Sequence, residues 1–142
     1  MFVGVGNRMW GDDGIGSVLL DSIKDHVRHA IDAGITPEEY TGIIKRFDPS
    51  VIVFLDAVDW GADPGRITIV EREEVSWVRM GIHKISLEIL MEYLQEETGA
   101  DVFIIGIQPA VVAQSSGLSP ESSQAVRHCA GVILSLLDRE NL

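Results

Sequence analysis

Two aspartates and a histidine from three separate loops could together bind a metal ion. Asp13 lies in a glycine-rich loop, Asp56 follows five consecutive apolar residues, and His83 precedes a stretch with helical periodicity. Two oxygen ligands and one nitrogen ligand suit a borderline divalent cation, for which affinity favours nickel, copper or zinc over magnesium. Because no spacing such as His-x-x-x-His is present, the sequence predicts an open site for transient metal contact rather than structural zinc.

The aspartates of these loops also have structural interpretations. A single aspartate is enough to cap a helix and to favour its positive dipole end, and we assign this role to Asp12. Asp13, the next residue, is then available for chemistry. Asp56 could cap a turn, but its predicted place at the carboxyl end of a central strand favours a functional role. Asp59 fits either interpretation.

Other kinds of active site fit the sequence less well. Gly4-Val-Gly6 matches the start of a dinucleotide-binding loop, but Met9 occupies the position of the third glycine. The chain has one cysteine, Cys129, on a predicted buried helix face, and no visible motif pairs a serine with a loop histidine. The sequence therefore shows no credible nucleophile set.

Length and composition limit the possible partners. The chain has 142 residues, of which 46% are hydrophobic and 23% charged, and this predicts one globular domain over residues 1–142. The net charge of −11 argues against nucleic acid or an anionic membrane as the main partner. No apolar run is long enough for membrane insertion, and the N-terminus lacks the basic region of a secretion signal. We therefore expect a cytoplasmic protein.

Short apolar runs alternate with helical patterns along the chain. The predicted strands are Met1–Gly6, Ala30–Asp32, Val51–Leu55, Arg66–Glu71 and Val102–Ile107. Four helices are predicted. The first has an apolar stripe of Ile15, Val18, Leu19, Ile23 and Val27, and the second starts at Thr36-Pro37 and ends near Phe47. The third is capped by Ser86 and has a stripe of Leu87, Leu90, Met91 and Leu94; the fourth starts at Ser119-Pro120 and has a stripe of Ala125, Cys129, Val132, Ile133, Leu136 and Leu137.

These elements predict an α/β fold with one open, twisted, mostly parallel sheet and helices on both of its faces. Only the ten residues Asp56–Gly65 separate the third strand from the fourth, which leaves no room for a crossover helix. The fourth strand is therefore predicted to be antiparallel. Because one sheet accounts for the apolar helix stripes, we expect a monomer, with its ligand site at the carboxyl ends of the strands.

Several segments, taken in order, resemble the [NiFe]-hydrogenase maturation endopeptidases. They are Gly4-Val-Gly-Asn7 with Gly11-Asp-Asp13-Gly-Ile-Gly16, Val53-Phe-Leu-Asp56-Ala-Val-Asp59, Pro64-Gly65, the loop His83 and Gly106-Ile-Gln-Pro109. Within that family the chain is most similar to the peptidases that process the large subunit of formate-hydrogenlyase-type hydrogenases. Trp10 is a bulky departure at a variable position, where we expect it to shape the rim of the substrate groove.

The resemblance implies a three-layer α/β/α sandwich with a five-stranded sheet. It also implies an endopeptidase that removes the C-terminal extension of a [NiFe]-hydrogenase large-subunit precursor after nickel insertion. The family's metal-contacting positions map onto Asp13, Asp56 and His83, which would recognise nickel carried by the precursor, with zinc or cadmium as substitutes in vitro. Asp13 or Asp56 would be the catalytic base, since the family has been classed with both metallopeptidases and aspartic peptidases.

Two alternatives belong to other functional classes. A non-catalytic nickel chaperone could dock on the same precursor through the same residues and release no peptide. A zinc aminopeptidase on a similar sheet would usually need two neighbouring metal sites and more ligands than the three candidates found here.

Overall fold

A computed structural model, which describes residues 1–78 and 84–140, contains a five-stranded sheet in the order β2-β1-β3-β5-β4. The strands are β1 (Phe2–Val5), β2 (Ala30–Gly34), β3 (Val51–Ala57), β4 (Ile67–Glu71) and β5 (Asp101–Ile107). The pairs β1–β2, β1–β3 and β3–β5 are parallel, and the edge strand β4 is antiparallel to β5. The predicted α/β fold with one antiparallel strand is confirmed.

Helices cover both faces of this sheet. They are α1 (Ile15–Ile23), α2 (Thr41–Arg46), α3 (Lys84–Thr98) and α4 (Pro120–Glu140). In β3, side chains alternate between the faces, so that Ile52 and Phe54 pack with α2 and α3 while Val53 and Leu55 pack with α1 and α4. The continuous apolar run of β3 is thus explained by burial on both faces.

Two predicted helix starts differ from the structure. Thr36 makes no side-chain cap, and the chain forms a 3-10 turn over Pro37–Tyr40 before α2 begins. The short α2 contains a glycine and three β-branched residues, whose low helix propensity gives little tendency to extend it. The helix α3 begins at Lys84, so Ser86 lies inside it and does not precede it as a cap.

The apolar stripe of α4 is narrower than predicted, whereas all predicted stripe residues of the first helix pack in or against the core that it shares with α4. Val132 and Leu136 remain 46% and 54% exposed, whereas Ala125, Cys129 and Ile133 are buried. Since α4 packs on α1 and β5, one narrow line of its side chains is covered. Val27 lies beyond the end of α1 at Ile23. Across the described part of the chain, no helix is both long and apolar enough to cross a membrane.

Candidate active site

Two glycines allow the turn that carries Asp13 to lie directly on the central strands. A Cβ atom at Gly16 would overlap the carbonyl oxygens of Val5 and Leu55, so α1 could not approach the sheet this closely with any larger residue. Gly6 has a φ of +134°, and a Cβ there would overlap the carbonyl oxygen of Asp13. The glycine-rich sequence therefore places the Asp13 turn at the carboxyl ends of β1 and β3.

Asp13 belongs to a 3-10 turn, Gly11–Gly14, that directly precedes α1. Its side chain is almost completely buried, and its Oδ2 accepts a hydrogen bond of 3.0 Å from the backbone N–H of Asn7. The N–H of Asp13 donates in turn to the carbonyl of Trp10 at 3.2 Å. These two bonds close the loop between Asn7 and Asp13 and fix the position of the Asp13 carboxylate.

Asp56 is the last residue but one of β3 and is 4% exposed. Burial raises the pKa of Asp56 well above its usual range, and the nearby Asp13 carboxylate raises it further, against the opposing effect of the Ala57 N–H. That N–H donates to Oδ1 of Asp56 at 2.8 Å. The structure therefore brings Asp13 and Asp56 into direct electrostatic interaction, in a site that disfavours two negative charges.

The third predicted ligand, His83, lies outside the described residues. Within residues 1–78 and 84–140, no group of three histidine, cysteine, aspartate or glutamate side chains has the geometry of a metal site. The two carboxylates nevertheless fit a divalent cation chemically, because a positive charge between them would relieve both their mutual repulsion and the desolvation of Asp56. A histidine supplied from the 79–83 segment would complete the predicted set.

Asp12 does not cap α1, and that expectation was wrong. The helix begins without a side-chain cap, and Asp12 is instead completely buried against a distant loop. Its carboxylate accepts hydrogen bonds from the N–H groups of Ala110, Val111 and Ser119 at 2.8, 3.0 and 2.7 Å, and from the Ser119 hydroxyl at 2.7 Å. Burial alone would raise the pKa of Asp12, but these hydrogen bonds outweigh it and lower the pKa. Asp12 is therefore an ionised structural anchor.

Gln108 is a buried polar residue whose role sequence reasoning missed. Its Oε1 accepts hydrogen bonds from the N–H groups of Trp60 and Ala62 at 3.0 and 3.2 Å, and its Nε2 donates to Asp59 at 3.0 Å. Asp59 also accepts the N–H of Gly61 at 3.0 Å. Gln108 and Asp59 thus shape the loop that follows Asp56. The sequence signal that could have identified Gln108 is its position directly after the apolar strand β5.

Cys129 does not provide a nucleophile at this site. The side chain is 4% exposed and packs in the core between α1 and α4. Burial raises the pKa of its thiol to about 11, so the thiolate form is disfavoured at neutral pH.

Comparisons with known proteins find related sequences over most of the chain. The family model HycI, described as hydrogenase maturation protease, matches residues 21–136, a range that includes Asp56 but begins after Asp13. The hydrogenase 3 maturation protease of Escherichia coli K12 is 34% identical over 112 residues, which cover 76% of this chain and 71% of that protein. A putative hydrogenase maturation protease of Methanocaldococcus jannaschii is 27% identical over 123 residues, with coverages of 79% and 73%.

Solved structures show the same similarity in three dimensions. The crystal structure of the [NiFe] hydrogenase maturation protease HycI from Thermococcus kodakarensis KOD1 superposes with a TM-score of 0.84 at 28% identity, covering 96% of this chain and 90% of that one. The hydrogenase maturating endopeptidase HybD from E. coli has a TM-score of 0.79 at 20% identity, with coverages of 98% and 91%, and so shares the fold.

Proposed function

This chain belongs to the hydrogenase maturation protease family, and we propose that it removes the C-terminal extension of a [NiFe]-hydrogenase large-subunit precursor after nickel insertion. The observation that supports this proposal most directly is the pair of buried carboxylates, Asp13 and Asp56, at the carboxyl end of the central strand β3. Such a pair suits both contact with a divalent cation and proton transfer to or from water.

In this proposal the nickel ion is carried by the precursor and is part of the substrate. Asp13 and Asp56 would contact it through oxygen, and His83 through nitrogen. The raised pKa of Asp56 favours its protonated form in the free enzyme. A bound cation lowers that pKa, so Asp56 becomes a competent base when a loaded precursor is in place. Nickel is then a recognition signal, and zinc or cadmium could replace it in vitro.

Asp56 is the residue to which we assign proton transfer. A water oxygen would bond to the carbonyl carbon of the scissile peptide while Asp56 accepts a proton from that water. The same carboxyl group then donates the proton to the leaving nitrogen as the C–N bond breaks. Asp13, held by the Asn7 N–H, would keep its place as a ligand throughout.

The test is to incubate the protein with nickel-loaded and nickel-free precursor and to weigh the products by mass spectrometry. We expect a C-terminal peptide to be released from the loaded precursor alone. Asp56→Asn should lower the rate at least about a hundredfold, since it removes the acid–base group. Asp63→Asn, a change at an exposed carboxylate in the following loop, is the matched control and should cleave normally.

Two results would contradict the proposal. Cleavage by Asp56→Asn at the wild-type rate would remove Asp56 from the mechanism. An intact precursor in both samples, together with a stable complex, would instead favour the non-catalytic nickel chaperone.

A further inference from the structure

Four large apolar side chains beside the candidate active site are exposed. Met9 and Trp10, in the loop that leads to Asp13, are 63% and 46% exposed, and Val111 and Val112, in the loop after β5, are both 53% exposed. We call these four residues the apolar rim. An apolar surface next to a site that acts on a protein is a candidate contact for that protein.

Hydrogen bonds join the two loops of the apolar rim into one unit. The N–H of Gly11 donates to the carbonyl of Ser115 at 2.9 Å, the N–H of Ser115 to the carbonyl of Met9 at 3.0 Å, and the N–H of Asp12 to the carbonyl of Val111 at 2.9 Å. The buried Asp12 carboxylate adds its own bonds to the second loop. The rim is thereby held in a fixed position relative to Asp13, the residue that follows Asp12.

We propose that the apolar rim binds an apolar segment of the substrate protein next to the peptide bond that is cut. This inference rests on the proposed function, because it takes the occupant to be the hydrogenase large-subunit precursor. The carbonyl of Trp10 accepts a hydrogen bond from the N–H of Asp13 at 3.2 Å, so the backbone of the rim is directly joined to the turn that carries Asp13. A preformed rim binds such a segment without an ordering cost of its own.

The charges of the chain favour this occupant over a second copy of the protein. Residues 109–120 contain no charged side chain, although the chain as a whole carries a net charge of −11. Two copies would repel each other through the remaining acidic surface, whereas an uncharged apolar segment of a substrate would not be repelled. The chemistry of the rim therefore matches an apolar segment rather than a basic or acidic one.

The test compares cleavage kinetics and binding for three variants with nickel-loaded precursor. For Val111→Ser/Val112→Ser we expect KM to rise about tenfold, with kcat within about twofold of wild type, because apolar contacts made in the ground state are lost. Met9→Ser, on the other loop of the rim, should change KM in the same direction. Val132→Ser is the matched control, since Val132 is 46% exposed on α4 and should leave KM unchanged.

Further measurements separate binding from folding and from catalysis. Thermal melts should show that all variants fold. A fourth variant, Val111→Ile/Val112→Ile, keeps the apolar contacts and should have the wild-type KM. An unchanged KM in the serine variants of the rim, or an effect confined to kcat, would overturn the proposal that the apolar rim binds substrate. Biolayer interferometry measures the binding of nickel-loaded precursor directly, so it tests the apolar rim even if the wild type releases no peptide. Absence of peptide release would count against the proposed protease activity alone.

Discussion

Asp12 and Asp13 are neighbours in the chain, but their surroundings give them different properties. Asp12 receives four hydrogen bonds, which keep its pKa low and satisfy its charge. Asp13 faces Asp56, whose pKa is raised by burial and by this neighbouring charge. Asp12 is thus structural, whereas Asp13 and Asp56 each accept one backbone hydrogen bond and repel each other. Such a repelling pair is the reason we propose these two residues for cation contact and proton transfer.

The raised pKa of Asp56 predicts a trade-off between stability and activity. Because its pKa is higher in the folded than in the unfolded state, the folded protein binds more protons above about pH 4, and stability is lost as the pH rises towards the folded pKa. Asp56→Asn removes this loss. We expect it to raise the free energy of unfolding at about pH 7.5, where the wild-type carboxyl loses most stability.

Urea denaturation with EDTA at about pH 5 and about pH 7.5 measures this effect. The advantage of Asp56→Asn over wild type should be larger at the higher pH. Asp63→Asn, at an exposed carboxylate, controls for the change in net charge. A variant that is less stable than wild type at both pH values would show that the buried charge is already compensated.

At the scale of elements, the approach of α1 to the sheet depends on one glycine. A Cβ at Gly16 overlaps two backbone carbonyls, which cannot move as a side chain could. Gly16→Ala should therefore displace α1 and lower the free energy of unfolding by about 3 kcal/mol or more, as overpacking in a rigid core does. Thermal unfolding followed by circular dichroism measures the change.

Gly131 provides a matched control for this prediction. It lies within α4, and a Cβ there would meet nothing within 4 Å. Gly131→Ala should raise stability by about 0.5–1 kcal/mol, because alanine is the better helix former. Equal effects of the two substitutions would contradict the proposed close approach of α1.

The elements also show what could be predicted from the sequence. The strands and the antiparallel β4 follow from local information, namely apolar runs and a gap too short for a helix. The role of Asp12 could not be predicted, because its partners lie 98 to 107 residues further along the chain. The exposure of Val132 depends on how much of α4 is covered, which periodicity does not specify.

For the whole molecule, the central sheet makes the two apolar cores depend on each other. One core lies between the sheet and α2 and α3, and the other between the sheet and α1 and α4. The strand β3 contributes alternate side chains to both cores. If β3 unfolds, both cores therefore lose side chains at the same time. We therefore propose that residues 1–142 form one domain that unfolds in a single cooperative step.

Substitutions in one core should be detected by a probe in the other. Trp60 packs against the α2/α3 core, whereas Ile133 is buried in the α1/α4 core. In a Trp10→Phe/Trp77→Phe background, which retains Trp60 alone of the three tryptophans, fluorescence reports on the α2/α3 side. Ile133→Ala should cost about 2–4 kcal/mol and shift the Trp60 transition as far as the circular dichroism transition. Leu136→Ala, at a residue 54% exposed on the same helix, should change stability by less than about 0.5 kcal/mol. A Trp60 transition that stays at its wild-type midpoint while the circular dichroism transition shifts would mean that the cores unfold separately.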